Sequence, residues 1–195
     1  MIRAFVAIDL PENIRASLAE AQTRLKQSRA KVAWTKVENL HLTLQFLGRI
    51  PESQAGEIGA ALVPIADRHA PMDVTVAGVG MFPDALKPRV LWLGCDDVGG
   101  KLKALANDVR QTMTVLGFKP DEHDFTAHLT LGRVKMPRPD AALTQAVDSI
   151  KKDAFGTLRV AAIHFYKSQL HPDGSVYTKL SSHALKGDSP HAAKS

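Results

Sequence analysis

The tetrapeptide His-Leu-Thr-Leu occurs twice in this chain, at residues 41–44 and 128–131. Both copies fall in apolar runs that are typical of β-strands, and they occupy comparable places in two successive sets of strands and helices. Four common residues can repeat by chance, but the shared context indicates a duplicated architecture with one copy in each half.

Each copy is expected to present one histidine and one threonine on the same side of its strand. Side chains at positions i and i+2 of a strand point to the same face. His41 therefore shares a face with Thr43, and His128 shares a face with Thr130, while the leucines between them pack into the core. Two such strands side by side predict a cleft lined by two imidazoles and two hydroxyls.

These four groups are sufficient to hydrolyse a phosphodiester without a metal ion or any other cofactor. The unperturbed pKa of histidine lies near neutrality, so one imidazole can accept a proton while the other donates one. Threonine hydroxyls can donate hydrogen bonds to the non-bridging phosphate oxygens, where negative charge is held in the transition state. The two motifs therefore predict a single phosphate site.

A zinc site is a competing interpretation of the second histidine. Its ligands would come from a polar segment that holds Asp121, His123 and Asp124 and leads to His128. The segment lacks the helical i, i+4 histidine pair and the cysteine spacing that characterise zinc sites. We therefore favour chemistry without metal.

A non-catalytic RNA-binding module is the alternative from another functional class. Single-stranded RNA can be held by cations close to an aromatic ring, and Trp34 lies within a basic stretch. The cations of this stretch are Arg24, Lys26, Arg29, Lys31 and Lys36. At helical spacing such residues more often form the solvated face of a helix.

The elements that position the motifs alternate between strand and helix, which predicts an α+β fold. The predicted strands cover residues 2–9, 32–35, 40–47, 72–80, 89–95, 128–134, 158–168 and 176–182. The predicted helices begin at Pro11 and after Pro51 and then cover residues 102–116 and 141–150. Residues 1–185 are expected to form one domain, and the small polar residues 186–195 a flexible tail.

The composition limits the protein to a few classes. A chain of 195 residues with 45% apolar residues can bury a substantial core, and its formal charge of +5 suits an anionic partner. Cys95 is the single cysteine, so neither a disulfide framework nor a thiolate metal site is expected, which favours a reducing, cytoplasmic compartment. No run approaches the ~20 apolar residues of a membrane span, and nothing indicates an obligate protein partner.

The chain resembles the two-histidine (2H) phosphoesterases, and among them the RNA 2′,3′-cyclic phosphodiesterases once described as 2′-5′ RNA ligases. The similarity covers most of the chain and rests on two His-x-Thr-x motifs together with their flanks. The matching segments are residues 3–8, 41–48, 82–83, 90–94, 128–133 and 165–170, followed by Gly174 and Tyr177.

This resemblance implies a bilobal fold of duplicated strand and helix units, with antiparallel sheets framing a central cleft. It implies hydrolysis of a terminal 2′,3′-cyclic phosphate of RNA, in tRNA halves or oligonucleotides, to a 2′-phosphomonoester. In this family His41 would donate the proton to the leaving oxygen and His128 would accept a proton from water. Microscopic reversibility also permits the reverse reaction, which joins RNA ends through a 2′-5′ linkage.

The family pattern adds Phe46 and Arg133, five residues after each histidine, as groups that could contact a base or ribose and a phosphate. Strict strand alternation argues against both, because position i+5 points to the opposite face. The alternative places Phe46 in the core and Arg133 on the outer surface. A β-bulge at Gly132 would direct Arg133 back toward the cleft.

Overall fold

A computed structural model describes residues 1–119, 123–172 and 174–187, which contain nine strands and four α-helices. The strands are β1 (Ile2–Asp9), β2 (Val32–Trp34), β3 (His41–Ile50), β4 (Met72–Phe82), β5 (Val90–Asp96), β6 (His128–Val134), β7 (Ala154–Val160), β8 (Ala162–His171) and β9 (Gly174–Ala184). The helices are α1 (Glu12–Lys26), α2 (Ala55–Arg68), α3 (Lys101–Val115) and α4 (Ala141–Ile150). The α+β prediction is confirmed.

The strands form one antiparallel sheet with two halves. The first half has the order β9-β8-β1-β3 and the second has the order β6-β5-β4-β7, while β2 pairs with residues 132–134 of β6, beyond the contact of β6 with β3. The halves meet between β3 and β6, where Leu42 pairs with Leu129. Each half contains a strand, helix, strand, helix succession, β1-α1-β3-α2 and β5-α3-β6-α4, so the predicted duplication is confirmed.

The four helices pack in pairs against the sheet. Helices α1 and α4 contact each other and cover β7 and β4, whereas α2 and α3 contact each other and cover β9, β8 and β3. The predicted apolar face of α1 is buried, with Ile14, Leu18 and Leu25 fully inaccessible to solvent. The helices therefore enclose the core and leave the opposite, concave face of the sheet to the functional groups.

The end of the chain differs from the sequence prediction. The single strand expected over residues 158–168 is wrong, because β7 and β8 are separate strands, and β7 pairs with β4 at the far edge of the second half. Helix α2 runs through Pro64 and ends at Arg68. Pro64 is exposed, and it removes one main-chain hydrogen bond from the last turns of the helix.

The predicted tail boundary falls within described structure. The main-chain nitrogens of Lys186 and Gly187 donate hydrogen bonds of 2.9 and 3.0 Å to the carbonyls of Ala66 and His69 at the end of α2. The remaining tail residues, 188–195, lie outside the described residues. No helix within the described ranges is long and apolar enough to cross a membrane.

Candidate active site

The two His-Leu-Thr-Leu segments lie side by side where the halves of the sheet meet. Continuing the antiparallel Leu42–Leu129 pair by one residue in each direction puts His41 opposite Thr130 and Thr43 opposite His128. In both segments the leucines are buried and the histidine and threonine are partly exposed. The prediction that each strand presents one histidine and one threonine on a shared face is confirmed.

A main-chain carbonyl fixes the orientation of each imidazole. Nδ1 of His41 lies 2.8 Å from the carbonyl oxygen of Asn39, and Nδ1 of His128 lies 2.8 Å from that of Thr126. A carbonyl can only accept a hydrogen bond, so Nδ1 carries the proton in both rings. Nε2 is left in each ring as the nitrogen that can accept or donate a proton.

Aromatic rings surround His41. Its imidazole stacks on Phe5 at a centroid distance of 4.8 Å and meets the edge of Tyr177 at 5.3 Å. Phe5 also contacts Tyr166 and Tyr177, at 5.3 and 5.0 Å. These contacts restrict rotation of the imidazole, and the rings that make them come from β1, β8 and β9.

His128 has a smaller aromatic support. Phe82 meets the His128 ring at 5.3 Å and stacks on Trp92 at 4.9 Å. The Trp92 ring lies directly over Gly80, where any side chain would collide with it. The absence of a side chain at Gly80 therefore allows this stack to form.

Burial and nearby charge change the proton affinity of His41. Burial lowers its pKa, while the hydrogen bond to Asn39 and the negative charge of Asp9 act in the opposite direction. The net result is a lowered pKa, which favours the neutral imidazole in the free protein. This direction does not by itself favour the proton-donor role that the resemblance gives to His41.

The Asp9 carboxylate is held by two side chains of the β8–β9 hairpin. The Tyr166 hydroxyl donates a hydrogen bond to Oδ1, and Lys179 Nζ donates one of 2.7 Å to Oδ2. Burial acts to raise the pKa of Asp9, but these hydrogen bonds lower it below its ordinary value. Asp9 therefore keeps a negative charge close to His41.

β-Bulges in β3 bring Phe46 to the cleft. Relative to β1, strand β3 has one extra residue between Thr43 and Gln45 and another between Phe46 and Gly48. The first bulge reverses the alternation, so Phe46 returns to the face of Thr43 and is 58% exposed. The alternative that places Phe46 in the core is wrong.

A similar bulge in β6 directs Arg133. Strand β5 pairs Trp92 with Thr130 and Leu91 with Gly132, so Leu131 is the extra residue. Leu131 and Gly132 are both buried, and Arg133 returns to the side of Thr130. The bulge expected at Gly132 is thus present but centred on Leu131. Gly132 instead permits the close approach of β2, because an added Cβ would lie 2.7 Å from the Val32 side chain.

The site opens into a cavity of about 350 Å³. Its lining includes His41, Thr43, Phe46, Thr130 and Arg133, and its rim is completed by residues of β1 and the β8–β9 hairpin. His128 is not among the lining residues and stands beside the cavity, on the strand face that it shares with Thr130. Five of the six predicted site residues therefore share one cavity, and the sixth is adjacent.

The alternative sites are less well formed. Within the described ranges, no group of three or more histidine, cysteine, aspartate or glutamate side chains could hold a metal ion. Asp121 of the competing zinc set lies outside the described residues. In the basic stretch, Arg24 forms an ion pair of 2.5 Å with Asp153, and Lys26 Nζ lies 5.5 Å from the Trp34 ring. Two of its cations are therefore engaged within the protein.

Several residues of the site were not predicted from the sequence. Asn39 and Thr126 act through their carbonyls, which leave no signal in residue type. Buried Gln22 of α1 hydrogen-bonds the carbonyls of Thr35 and Leu131 at 2.8 and 2.9 Å, and a buried glutamine within an apolar helix face was an available signal.

Comparison with known proteins agrees with the geometry. The LigT like Phosphoesterase family matches residues 8–92 and again residues 93–177, so each match contains one His-Leu-Thr-Leu segment. An RNA 2′,3′-cyclic phosphodiesterase of Archaeoglobus fulgidus is 36% identical over 179 residues, which are 92% of this chain and 98% of the relative.

Two solved structures share the fold. The crystal structure of the Thermus thermophilus protein TT0787 has a TM-score of 0.82 and 31% identity, and the match covers 96% of this chain and 100% of that chain. E. coli LigT complexed with 3′-AMP has a TM-score of 0.73 and 25% identity, with 94% and 98% covered. Matched in both halves and by full-length relatives, this chain belongs to the LigT-like 2H phosphoesterase family and is an enzyme.

Proposed function

We propose that this enzyme hydrolyses a terminal 2′,3′-cyclic phosphate of RNA to a 2′-phosphomonoester, with His41 and His128 as its acid and base and without a metal ion. The observation that carries the proposal is the pairing of the two His-Leu-Thr-Leu strands, with both Nδ1 atoms bound to carbonyls. The activity of the Archaeoglobus fulgidus relative and the 3′-AMP complex of E. coli LigT support a nucleotide substrate.

The reaction is an in-line displacement at phosphorus. Nε2 of His128 takes a proton from water as the water oxygen attacks phosphorus from one side. The bond from phosphorus to O3′ breaks on the opposite side, and O3′ receives the proton carried by Nε2 of His41. The products are a 2′-phosphomonoester and a free 3′-hydroxyl. Holding both groups and the phosphate in one orientation supplies much of the rate enhancement.

The protonation of His41 depends on the substrate in this mechanism. Burial lowers the pKa of His41 in the free enzyme, but a phosphodiester anion beside Nε2 favours the imidazolium. Binding of substrate therefore loads the proton that His41 later donates. This coupling reconciles the lowered pKa with the donor role.

Threonines and Arg133 hold the charge of the phosphate. The Thr43 and Thr130 hydroxyls lie across the strand junction from the histidines and donate hydrogen bonds to the non-bridging oxygens. Arg133 lines the same cavity and neutralises the added charge of the transition state. Phe46, exposed in that cavity, packs against the base or ribose of the terminal nucleotide.

Replacing each histidine tests the proposal. His41→Ala and His128→Ala should each lower kcat for a 2′,3′-cyclic nucleotide by about 10²–10⁴-fold with an unchanged Tm. His69→Ala is the matched control, since His69 pairs with Asp108 between α2 and α3, outside the cleft. Wild-type rates in either cleft variant would refute the mechanism.

Two further measurements separate the alternatives. Loss of activity with a chelator, restored by a metal ion, would favour a metal-dependent reaction. RNA binding without turnover that survives removal of both histidines would identify a non-catalytic binding module. Incubation with excess 5′-hydroxyl RNA measures how far the reverse, 2′-5′ joining reaction proceeds.

A further inference from the structure

Two arginines face each other at the end of β1 and β3. Arg3 pairs directly with Arg49, while the next pair outward, Ile2 and Ile50, is buried in the core. Both arginines are exposed and lie on the side of the sheet away from that core. Like charges directly opposite each other on neighbouring strands are destabilising. Across the described part of the chain, neither guanidinium forms an ion pair with a carboxylate.

The arginine pair borders the active-site cavity. Arg3 lines that cavity and also an adjoining one of about 490 Å³, which Arg49, Lys167 and Ser168 line as well. Glu52, the one carboxylate among the described residues that line it, is 3.6 Å from Lys167 Nζ. Among the described side chains that line this cavity, Arg3 and Arg49 are therefore left without a compensating carboxylate, an arrangement that suits an anion.

The spacing along β1 separates this pair from the reacting phosphate. Ala7 is the residue opposite Thr43, and Arg3 is four residues further along the strand. At about 3.3 Å per residue, this is roughly 13 Å. This is a spacing between backbone positions, and it places the arginine pair toward one end of the cavity and Thr43 toward the other, where different groups of a bound strand would lie.

Exposed apolar side chains flank Arg3, with Phe46 opposite Phe5 on the side of Thr43 and Leu170 beyond Ser168 on the other side. Phe46 is 58% exposed and Leu170 is 66% exposed, and both line the active-site cavity together with Arg3. Aromatic and apolar surfaces bordered by cations are the usual platform for single-stranded nucleic acid, in which bases stack while phosphates meet positive charge.

We infer that Arg3 and Arg49 bind a phosphodiester of the RNA strand on the 5′ side of the terminal nucleotide. This inference rests on the proposed function, because a cyclic phosphate at the 3′ end leaves the rest of the strand on its 5′ side. The enzyme then binds an oligonucleotide end better than a cyclic mononucleotide, because only the oligonucleotide carries a phosphodiester for the arginine pair.

The test compares substrates of two lengths in Arg3→Gln and Arg49→Gln. The substrates are 2′,3′-cyclic AMP and a trinucleotide that ends in a 2′,3′-cyclic phosphate. The ratio of kcat/KM for the trinucleotide to kcat/KM for the mononucleotide should fall roughly three- to fivefold in each variant, as expected for one exposed ionic contact. Arg159→Gln, which breaks an ion pair with Asp73 at the far sheet edge, should keep the wild-type ratio.

Salt dependence and stability give independent readouts. Losing one phosphate contact should reduce the slope of log KM against log salt for the trinucleotide by about 0.7. The Tm of Arg49→Gln should equal or exceed that of the wild type, because the substitution removes a like-charge pair. A fall in Tm together with an unchanged ratio would assign the arginines a structural role and overturn the inference.

Binding distinguishes failure of this inference from failure of the proposed function. A labelled trinucleotide with a 3′-phosphate should bind more weakly to both arginine variants in fluorescence anisotropy, whether or not turnover occurs. If both arginine variants bind the trinucleotide more weakly but the wild-type enzyme hydrolyses neither substrate, the proposed function would be contradicted and the arginine site supported. If the wild type hydrolyses both substrates, and both variants keep its kcat/KM ratio and its binding of the trinucleotide, the arginine site alone would be refuted.

Discussion

The side-chain amide of Gln22 donates a hydrogen bond of 2.9 Å to the carbonyl of Leu131, the extra residue of the bulge that turns Arg133 into the cleft. The main-chain nitrogen of Thr35 donates a second bond of 2.9 Å to the same carbonyl. A bulge leaves a main-chain group outside the regular ladder, and a buried group of this kind needs a partner. Helix α1 therefore supplies the contact that stabilises the bulge.

Replacing Gln22 with leucine should destabilise the fold and weaken catalysis together. Leucine has a similar volume but cannot bond the carbonyls of Thr35 and Leu131, which should lower the free energy of unfolding by about 1–3 kcal/mol. Arg133 should then be less well oriented, so kcat/KM for a cyclic phosphate should fall. Urea denaturation and steady-state kinetics on the same preparation measure both effects.

The control for this substitution is Gln27→Leu, at the exposed end of α1, which should change stability by less than about 0.5 kcal/mol. A Gln22→Leu enzyme with wild-type stability and kcat/KM would show that the bulge forms without the glutamine.

Gly132 makes a second prediction about the same bulge. A Cβ added there would lie 2.7 Å from the Val32 side chain and 3.0 Å from the carbonyl oxygen of Ala33, so β2 must move away from β6. Gly132→Ala should cost about 1–3 kcal/mol of unfolding free energy and lower kcat/KM through the displaced Arg133. Thermal unfolding and kinetics would measure the two losses.

Gly56→Ala is the matched control for that substitution. Its Cβ would meet no atom of the described residues within 4 Å, and it lies in α2, where alanine is favoured over glycine by up to about 1 kcal/mol. The two variants should therefore shift stability in opposite directions. Equal shifts would mean that the contact between β2 and β6 is not tight in solution.

Much of the site could be predicted because its elements obey local rules. The faces of residues 41–44 and 128–131 follow from strand alternation, and the apolar face of α1 follows from helical spacing. The side-by-side placement of these two strands could be inferred from the repeat, because two copies of the motif on neighbouring strands line one cleft.

The remaining features depend on contacts between distant segments. The positions of Phe46 and Arg133 are set by bulges, and a bulge is a mismatch of register between two strands that neither strand encodes alone. The start of β7 and its separation from β8 were missed, because β7 is an edge strand that is set by its pairing with β4. The carbonyls of Asn39 and Thr126 bind the histidines through backbone geometry, which residue identity does not reveal.

The charge of Asp9 gives a pH-dependent test of the His41 environment. Burial lowers the pKa of His41 and the Asp9 carboxylate partly opposes this shift, so removing that charge should lower the pKa further. In a pair of catalytic groups, the acid limb of the pH profile of kcat/KM reports the group with the lower pKa, whatever its role. We expect this limb to belong to His41 and to move to lower pH in Asp9→Asn.

The comparison for Asp9→Asn is Asp108→Asn. Asp108 is also a carboxylate whose pKa is lowered by its hydrogen bonds, although burial acts to raise it, and its partners are His69 and Arg68 rather than site residues. The acid limb of Asp108→Asn should coincide with that of the wild type, because its charge does not reach His41. An acid limb that stays in place or moves to higher pH in Asp9→Asn would show that His41 does not titrate there, and that the acid limb belongs to another group.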